Sequence, residues 1–250
     1  MSKENKPFLL ISGASGSIGQ QIALRLAKEY NLIVMGKNKE RLDSLSLKLG
    51  QSQVITIECD LARIDSIIPT LQEHLQTNPN LSIQEAIPLQ GFIHCAGISY
   101  IGYAKTFNYE NMIEVANVNL FSCMEIVKYL IKKHKQSLKS LVFISSAFSQ
   151  RGEVGNSFYA ATKGGLDSYM KSLALELAPN IRANTIQCGG IFNTNMTNIF
   201  TQEQKEKILK LYPLGEGEAR DIANAVAFLM SVESRWISGT CLQVDGGFHI

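Results

Sequence analysis

Short, continuous apolar runs alternate along the chain with longer stretches in which apolar residues recur every three or four positions. The runs at 8–11, 32–35, 54–57, 89–94, 141–144, 182–187 and 241–244 are rich in β-branched residues and show little polar alternation. That is the pattern of strands covered on both faces of a parallel sheet. The stretches at 18–30, 39–49, 65–75, 109–135, 158–178 and 219–230 read as amphipathic helices. In the first, Ile22, Leu26 and Tyr30 share a face while Gln20, Arg25 and Lys28 turn away. Repeated strand–helix units with short connections predict one α/β domain over residues 1–250. Its expected architecture is a doubly wound parallel sheet of about seven strands with helices on both faces. The segment 192–217 breaks the alternation. It is polar (Asn193, Thr194, Asn195, Thr197, Asn198, Gln202, Glu203, Gln204) with a short helical pattern inside, and is expected to form a substrate lid.

Composition narrows the class. Hydrophobic residues are 45% of the 250 and charged residues 18%, which supports a large core and excludes disorder as the dominant state. Lys and Arg number 24 against 22 Asp and Glu, for a formal charge of +2. With no block of like charge, a nucleic-acid partner is not expected. No apolar run approaches the roughly 18 residues needed to span a membrane. Residues 1–7 lack the apolar core of a secretory leader. The five cysteines (Cys59, Cys95, Cys123, Cys188, Cys241) are scattered, odd in number and without a CxxC. Reduced thiols in a cytoplasmic protein are the expectation. His74, His94, His134 and His249 show no metal-ligand spacing, so no metal is expected.

The candidate chemistry begins where the first strand runs into Ser12-Gly13-Ala14-Ser15-Gly16-Ser17-Ile18-Gly19 and a helix opens. Glycines there let backbone approach a pyrophosphate, and the helix N-terminus offers free N–H donors. The second strand ends at Gly36, with no carboxylate to bind a ribose 2′-hydroxyl. Lys37 follows and Arg41 lies nearby, which suits a 2′-phosphate and favours NADP(H) over NAD(H). In Tyr159-Ala160-Ala161-Thr162-Lys163 the phenol and ammonium share a helix face. A neighbouring positive charge is expected to draw the phenol pKa from about 10 toward neutrality, as a general acid requires. Ser145 and Ser146 end a strand thirteen residues before Tyr159, and Asn119 lies in Asn117-Val118-Asn119-Leu120.

With these residues the chain resembles the short-chain dehydrogenases/reductases over nearly its whole length. The family's TGxxxGxG reads Ser12-Gly13 through Ser17 and Gly19. Its strand-end Asp matches Asp60-Leu61, and its NNAG matches His94-Cys95-Ala96-Gly97. Its PGxI resembles Cys188-Gly189-Gly190-Ile191, and its C-terminal IxG and VDGG resemble Ile237 to Gly239 and Val244 to Gly247. The resemblance implies a Rossmann fold and an oxidoreductase that interconverts a ketone and a secondary alcohol. Its catalytic tetrad falls on Asn119, Ser146, Tyr159 and Lys163. Tyr159 would protonate the carbonyl oxygen and Ser146 hold it. Lys163 would lower the phenol pKa and bind ribose, and Asn119 would anchor a water. Implied cofactor contacts are Gly13, Ser15, Ser17, Ile18, Gly19, Lys37, Asp60, Leu61, Cys95, Ala96, Gly97, Tyr159, Lys163, Gly189, Ile191 and Thr194.

Several positions depart from the family pattern. Ser17 stands for a glycine, Cys95 for the second asparagine of NNAG, and Cys188 for a proline. The threonine expected at 193 is Asn193, with Thr194 one place later, and the PLGR-x-G-x-P segment is shortened to Pro213-Leu214-Gly215-Glu216-Gly217-Glu218-Ala219. Expected pocket walls are Ile98, Tyr100, Ile101, Phe148, Val154, Phe192, Met196 and Phe200, with Arg151 and Glu153 charged. Such walls suit a hydrophobic ketone, and 3-oxoacyl-[acyl-carrier-protein] reductases fit best among the family's members. Lys128, Lys132, Lys133 and Lys135 could attract an acidic carrier protein. A homotetramer is expected from the helical stretch 109–135, the helix carrying Tyr159, and the apolar tail residues Phe248 and Ile250. The alternative, a nucleotide-sensing protein without turnover, would be marked by loss of the tyrosine or the lysine; both are present.

Overall fold

The computed structural model describes residues 6–50, 53–75, 87–192, 194, 197 and 201–250. Seven strands, β1 (Phe8–Ser12), β2 (Asn31–Gly36), β3 (Val54–Glu58), β4 (Leu89–His94), β5 (Ser140–Ser146), β6 (Arg182–Cys188) and β7 (Cys241–Val244), form one sheet in the order β3-β2-β1-β4-β5-β6-β7. Every pairing is parallel. The helices are α1 (Ser17–Leu26), α2 (Lys39–Leu49), α3 (Ile64–Leu75), α4 (Tyr109–Ala116), α5 (Ser122–His134), α6 (Ser157–Glu176), α7 (Gln202–Leu209) and α8 (Ala219–Met230).

Both faces of the sheet are covered, which explains why its strands lack polar alternation. Successive strand residues point to opposite faces. Leu10, Ile33, Ile57 and Phe143 pack with Leu71 of α3, Ile126 of α5 and Leu166 of α6. Leu9, Ile11, Val34 and Val142 pack with Ile22 of α1, Leu42 of α2 and Val226 of α8. β1 and β4 are neighbours, and the connections leaving them run to opposite halves of the sheet. This switch point opens a crevice at the carboxyl ends of the strands.

Two expectations need correction. The predicted helix 109–135 is α4 and α5 joined by a π turn over Asn117–Phe121. Such a turn re-aims side chains, and here it carries Asn119 to a fully buried position. Phe248, expected to need a partner subunit, is 3% exposed within one chain, against Tyr212. Ile250 remains fully exposed. Within the predicted lid, α7 begins with a capping box of Thr201 and Gln204. Asn193, Asn195, Met196, Asn198, Ile199 and Phe200 lie outside the described residues. Among the described residues, no helix is long and apolar enough to cross a membrane.

Candidate active site

Ser146 closes β5, while Tyr159 and Lys163 sit one turn apart near the start of α6. The Lys163 ammonium lies 5.8 Å from the centre of the Tyr159 ring, and the Ser146 hydroxyl is close enough to hydrogen-bond the phenol. Lys163 is buried and donates to the Ile144 carbonyl at 2.8 Å. Asn119 accepts from the Ile98 amide at 2.8 Å and donates to the Ile98 carbonyl at 3.0 Å and to Thr162 Oγ1 at 3.1 Å. A methyl group on Gly97 would lie 3.3 Å from Lys163 Nζ and 3.6 Å from Asn119 Oδ1, which places both beside that glycine. The structure therefore brings Asn119, Ser146, Tyr159 and Lys163 together from three elements.

Beside them runs a cleft of about 220 Å³. Gly13, Ser15, Gly36, Lys37, Asp60, Leu61, Cys95, Ala96 and Gly97 are among its walls, so the ends of β1 to β4 all contribute. Gly13 has φ +71°, and a Cβ there would stand 2.5 Å from the Ala96 amide nitrogen. Only glycine fits that turn. The N-cap of α1 is Gly16, which offers no side-chain cap, and the first turn has no acidic residue. Its N–H groups and dipole are thus open to an anion. A second cavity of about 550 Å³ is lined by Ser17, Phe192, Thr194 and Glu216, among others. Ile18 packs on the core face of α1.

Comparison with known proteins agrees with this geometry. A family model described as "Enoyl-(Acyl carrier protein) reductase" matches residues 13–249. The 3-oxoacyl-[acyl-carrier-protein] reductase of Mus musculus is 33% identical over 246 residues, covering 96% of this chain and 97% of the relative. The 3-oxoacyl-[acyl-carrier-protein] reductase FabG of Rickettsia felis is 34% identical over 242 residues, with 95% of each covered. A tryptophan variant of actinorhodin polyketide ketoreductase, solved with NADPH, has the same fold. Its TM-score is 0.89 at 23% identity, with 100% of this chain and 99% of that chain covered. The chain belongs to the short-chain dehydrogenase/reductase family. It is by that membership an NAD(P)-dependent oxidoreductase.

Several of the expected site residues also make contacts within the chain. Lys37, read as a partner for a 2′-phosphate, forms an ion pair with Asp60 at 3.1 Å. Asp60 also caps the Ala62 amide at 3.1 Å. Arg151, expected on the pocket wall, has its guanidinium 4.4 Å over the Phe248 ring. Tyr100 is partly exposed and donates to Glu114 at 2.6 Å. Thr194 turns back on its own loop, its amide donating to Thr197 Oγ1 at 3.1 Å. Gly189 donates to the Val244 carbonyl at 3.0 Å, and Ile191 is buried.

The expected low phenol pKa is not a property of the polypeptide alone. Burial pushes Tyr159 up to about 12, with the Ser146 hydrogen bond pulling the other way. Burial likewise pulls the Lys163 ammonium below its ordinary value. Both groups are enclosed by the protein, and desolvation disfavours the charged form of each. Tyr159 is accordingly a neutral phenol with a proton to give at pH 7. The Cys95 thiol is pushed up to about 12 by burial, so it lines the cleft as a small neutral group rather than a nucleophile.

Sequence reasoning missed a polar set centred on the buried Asp167, one turn along α6 from Lys163. Ser149 donates to Asp167 Oδ2 at 2.6 Å, and Gln187 donates to the same oxygen at 2.8 Å. The available signal was the spacing of Tyr159, Lys163 and Asp167, each four residues from the last on one helix face.

His94 carries a pH prediction. It is fully buried, its Nδ1 is 2.8 Å from Ser12 Oγ, and burial pulls its pKa down to about 3, the Lys163 charge adding to the effect. The folded state therefore binds this proton less tightly than the unfolded chain, whose histidine titrates near 6.5. The stabilisation is complete above pH 6.5 and is lost as pH falls toward 3, at about 1.4 kcal/mol per pH unit. In His94→Asn, thermal unfolding measured from pH 7 to 4.5 should depend on pH less steeply by one proton. Superimposable pH profiles would refute this.

Proposed function

We propose that this short-chain reductase interconverts a ketone and a secondary alcohol with NADP(H) in preference to NAD(H), and that 3-oxoacyl thioesters are its substrate class. The carrying observation is the Tyr159 phenol beside the Ser146 hydroxyl and one helical turn from the buried Lys163 ammonium. Two O–H groups on one side of a cleft suit a carbonyl oxygen that gains negative charge. Ser146 would donate to that oxygen while Tyr159 gives up its proton. Lys163 would then steady the resulting phenolate. Asn119, whose amide is committed to Ile98 and Thr162, would act through its place in the π turn rather than as a free amide.

The residues present fit a nicotinamide dinucleotide. Gly13, Ser15, Ser17, Ile18 and Gly19 would face its pyrophosphate, Asp60, Leu61, Cys95 and Ala96 its adenosine half. Gly97, Lys163, Gly189, Ile191 and Thr194 would face its nicotinamide half. When bound, it supplies the hydride. The names of the mouse and Rickettsia relatives support the thioester class. Lys132 and Lys133 in the last turn of α5 could meet an acidic carrier, whereas Lys128 is paired with Glu125. We also read the chain as a cytoplasmic homotetramer. Tyr109, Phe121, Val232, Trp236 and Ile250 are large apolar side chains exposed in one copy. A monomer mass by light scattering would reject the tetramer.

The test follows absorbance of reduced nicotinamide with a 3-oxoacyl thioester, the matching enoyl thioester and an unrelated ketone. Turnover of the enoyl thioester alone would overturn the carbonyl reading. For the cofactor, NADPH should bind at least about tenfold more tightly than NADH, the worth of one charge-assisted contact. Lys37→Ala removes the cation and also leaves the Asp60 carboxylate unneutralised, so it should erase the difference. Equal affinities in the wild-type protein would defeat this assignment.

A further inference from the structure

Tyr212 follows α7, where the chain turns back toward the sheet. It is buried, and its hydroxyl accepts a hydrogen bond from the Gly190 amide at 2.7 Å. A Cβ on Gly190 would stand 2.8 Å from that hydroxyl, and one on Gly189 would stand 2.9 Å from Tyr212 Cε1. The tyrosine from a distant segment thus fills the space a side chain at 190 would take.

The ring is itself braced. It stacks on Phe248 with centroids 4.8 Å apart and 16° between the planes. Arg151 covers Phe248 and donates to its carbonyl at 3.0 Å, while Phe148 meets its edge at 6.1 Å. Phe148 in turn donates its amide to Ser146 Oγ at 3.2 Å. Contacts therefore run without a break from Ser146 through Phe148, Phe248 and Tyr212 to Gly190.

Two adjacent glycines make an intrinsically soft turn, because glycine has the widest choice of backbone conformations to lose. The Cys188–Ile191 turn is nevertheless the one assigned to the nicotinamide end. We propose that Tyr212 is a positioning residue that holds this turn, and through it the nicotinamide half of the dinucleotide, in register with Ser146. The proposal rests on the dinucleotide reading above and deepens it. It separates the two halves of the cofactor, since the adenosine cleft is built from the ends of β1 to β4, away from Tyr212.

Tyr212→Phe keeps the stacked ring and removes only the acceptor, leaving the Gly190 amide without it. NADPH affinity measured by calorimetric titration should fall about five- to tenfold, as for loss of one buried hydrogen bond. Affinity for adenosine 2′,5′-bisphosphate, which reaches only the adenosine cleft, should stay within about twofold. Hydrogen exchange at the Gly190 amide should quicken in the protein without added nucleotide. Gly190→Ala should also weaken NADPH binding, because its methyl group meets the Tyr212 hydroxyl. The double variant should lose less than the two single losses combined, since that clash is gone.

Unchanged NADPH affinity in Tyr212→Phe, or equal losses for NADPH and the bisphosphate, would overturn the proposal. Wild-type protein that bound neither nucleotide would overturn the dinucleotide reading and this proposal with it. Normal wild-type binding with an indifferent variant would overturn this proposal alone.

Discussion

Tyr159→Phe is expected to lower kcat by a factor of about 100 or more, the usual share of a general acid, while NADPH affinity stays nearly unchanged. Phenylalanine keeps the ring in place on the first turn of α6, so the packing around it is preserved. Only the O–H is lost, and with it the proton that burial holds on the phenol up to a pKa of about 12. Ser146 cannot replace it. A serine hydroxyl can donate a hydrogen bond to a carbonyl oxygen, but its far higher pKa makes it a poor proton donor. Steady-state rates on the substrate found in the thioester and ketone assays give kcat, and a fluorescence titration gives the cofactor affinity. A variant that keeps more than about a tenth of wild-type kcat would remove Tyr159 from the acid's role.

What could be read in the sequence depended on how local the physics was. The strands β4 and β7 and the helices α2 and α8 have the boundaries that hydrophobic periodicity predicts. In these elements burial pattern and chain direction carry all the information needed. The π turn at Asn117–Phe121 was not legible in the same way. The periodicity continues through it, and the turn is fixed by the bonds between Asn119 and the Ile98 backbone, 21 residues away. The Lys37–Asp60 pair was hidden for a similar reason. Each residue was read for a ligand, and nothing in either neighbourhood shows that two strand ends bring them within 3.1 Å.

Phe248 shows the limit from the other side. An aromatic residue near the end of a chain resembles an intermolecular contact until the residue that covers it is known. Here Tyr212 and Arg151 cover it from within the same chain. The phenol pKa went astray because charge proximity can be read from a four-residue spacing, whereas desolvation requires the whole wall of the site. The places of Ser146 at the end of β5 and of Tyr159 and Lys163 near the start of α6 were legible from strand and helix patterns, whereas grouping them with Asn119 as a tetrad came from the family resemblance alone.

Lys163→Met is expected to have two opposite effects: turnover falls by a factor of about 100 or more, and the protein becomes more stable. Lys163 is 3% exposed, and its ammonium donates to a neutral carbonyl, that of Ile144. Asp167, one turn further along α6, has Oδ2 engaged by Ser149 and Gln187. Burial therefore holds the ammonium pKa below its ordinary value. The folded state then binds this proton less tightly than the unfolded chain. The resulting loss of stability is present at neutral pH and fades only as pH rises through the range up to 10.5. Methionine fills the volume of the lysine stem and carries no charge. The Ile144 carbonyl loses its donor, at a cost of about 1 kcal/mol, whereas removing the ammonium relieves the desolvation of a buried charge. The second effect is larger, so calorimetry at pH 7 should show a melting temperature about 2–4 °C above wild type. Cofactor affinity should fall as well, in contrast to Tyr159→Phe, because Lys163 is the residue assigned to the nicotinamide ribose. A melting temperature below wild type would mean that the ammonium is an integral structural tie. A higher one with activity lost would mean that the fold carries this charge for the reaction and at the expense of its own stability.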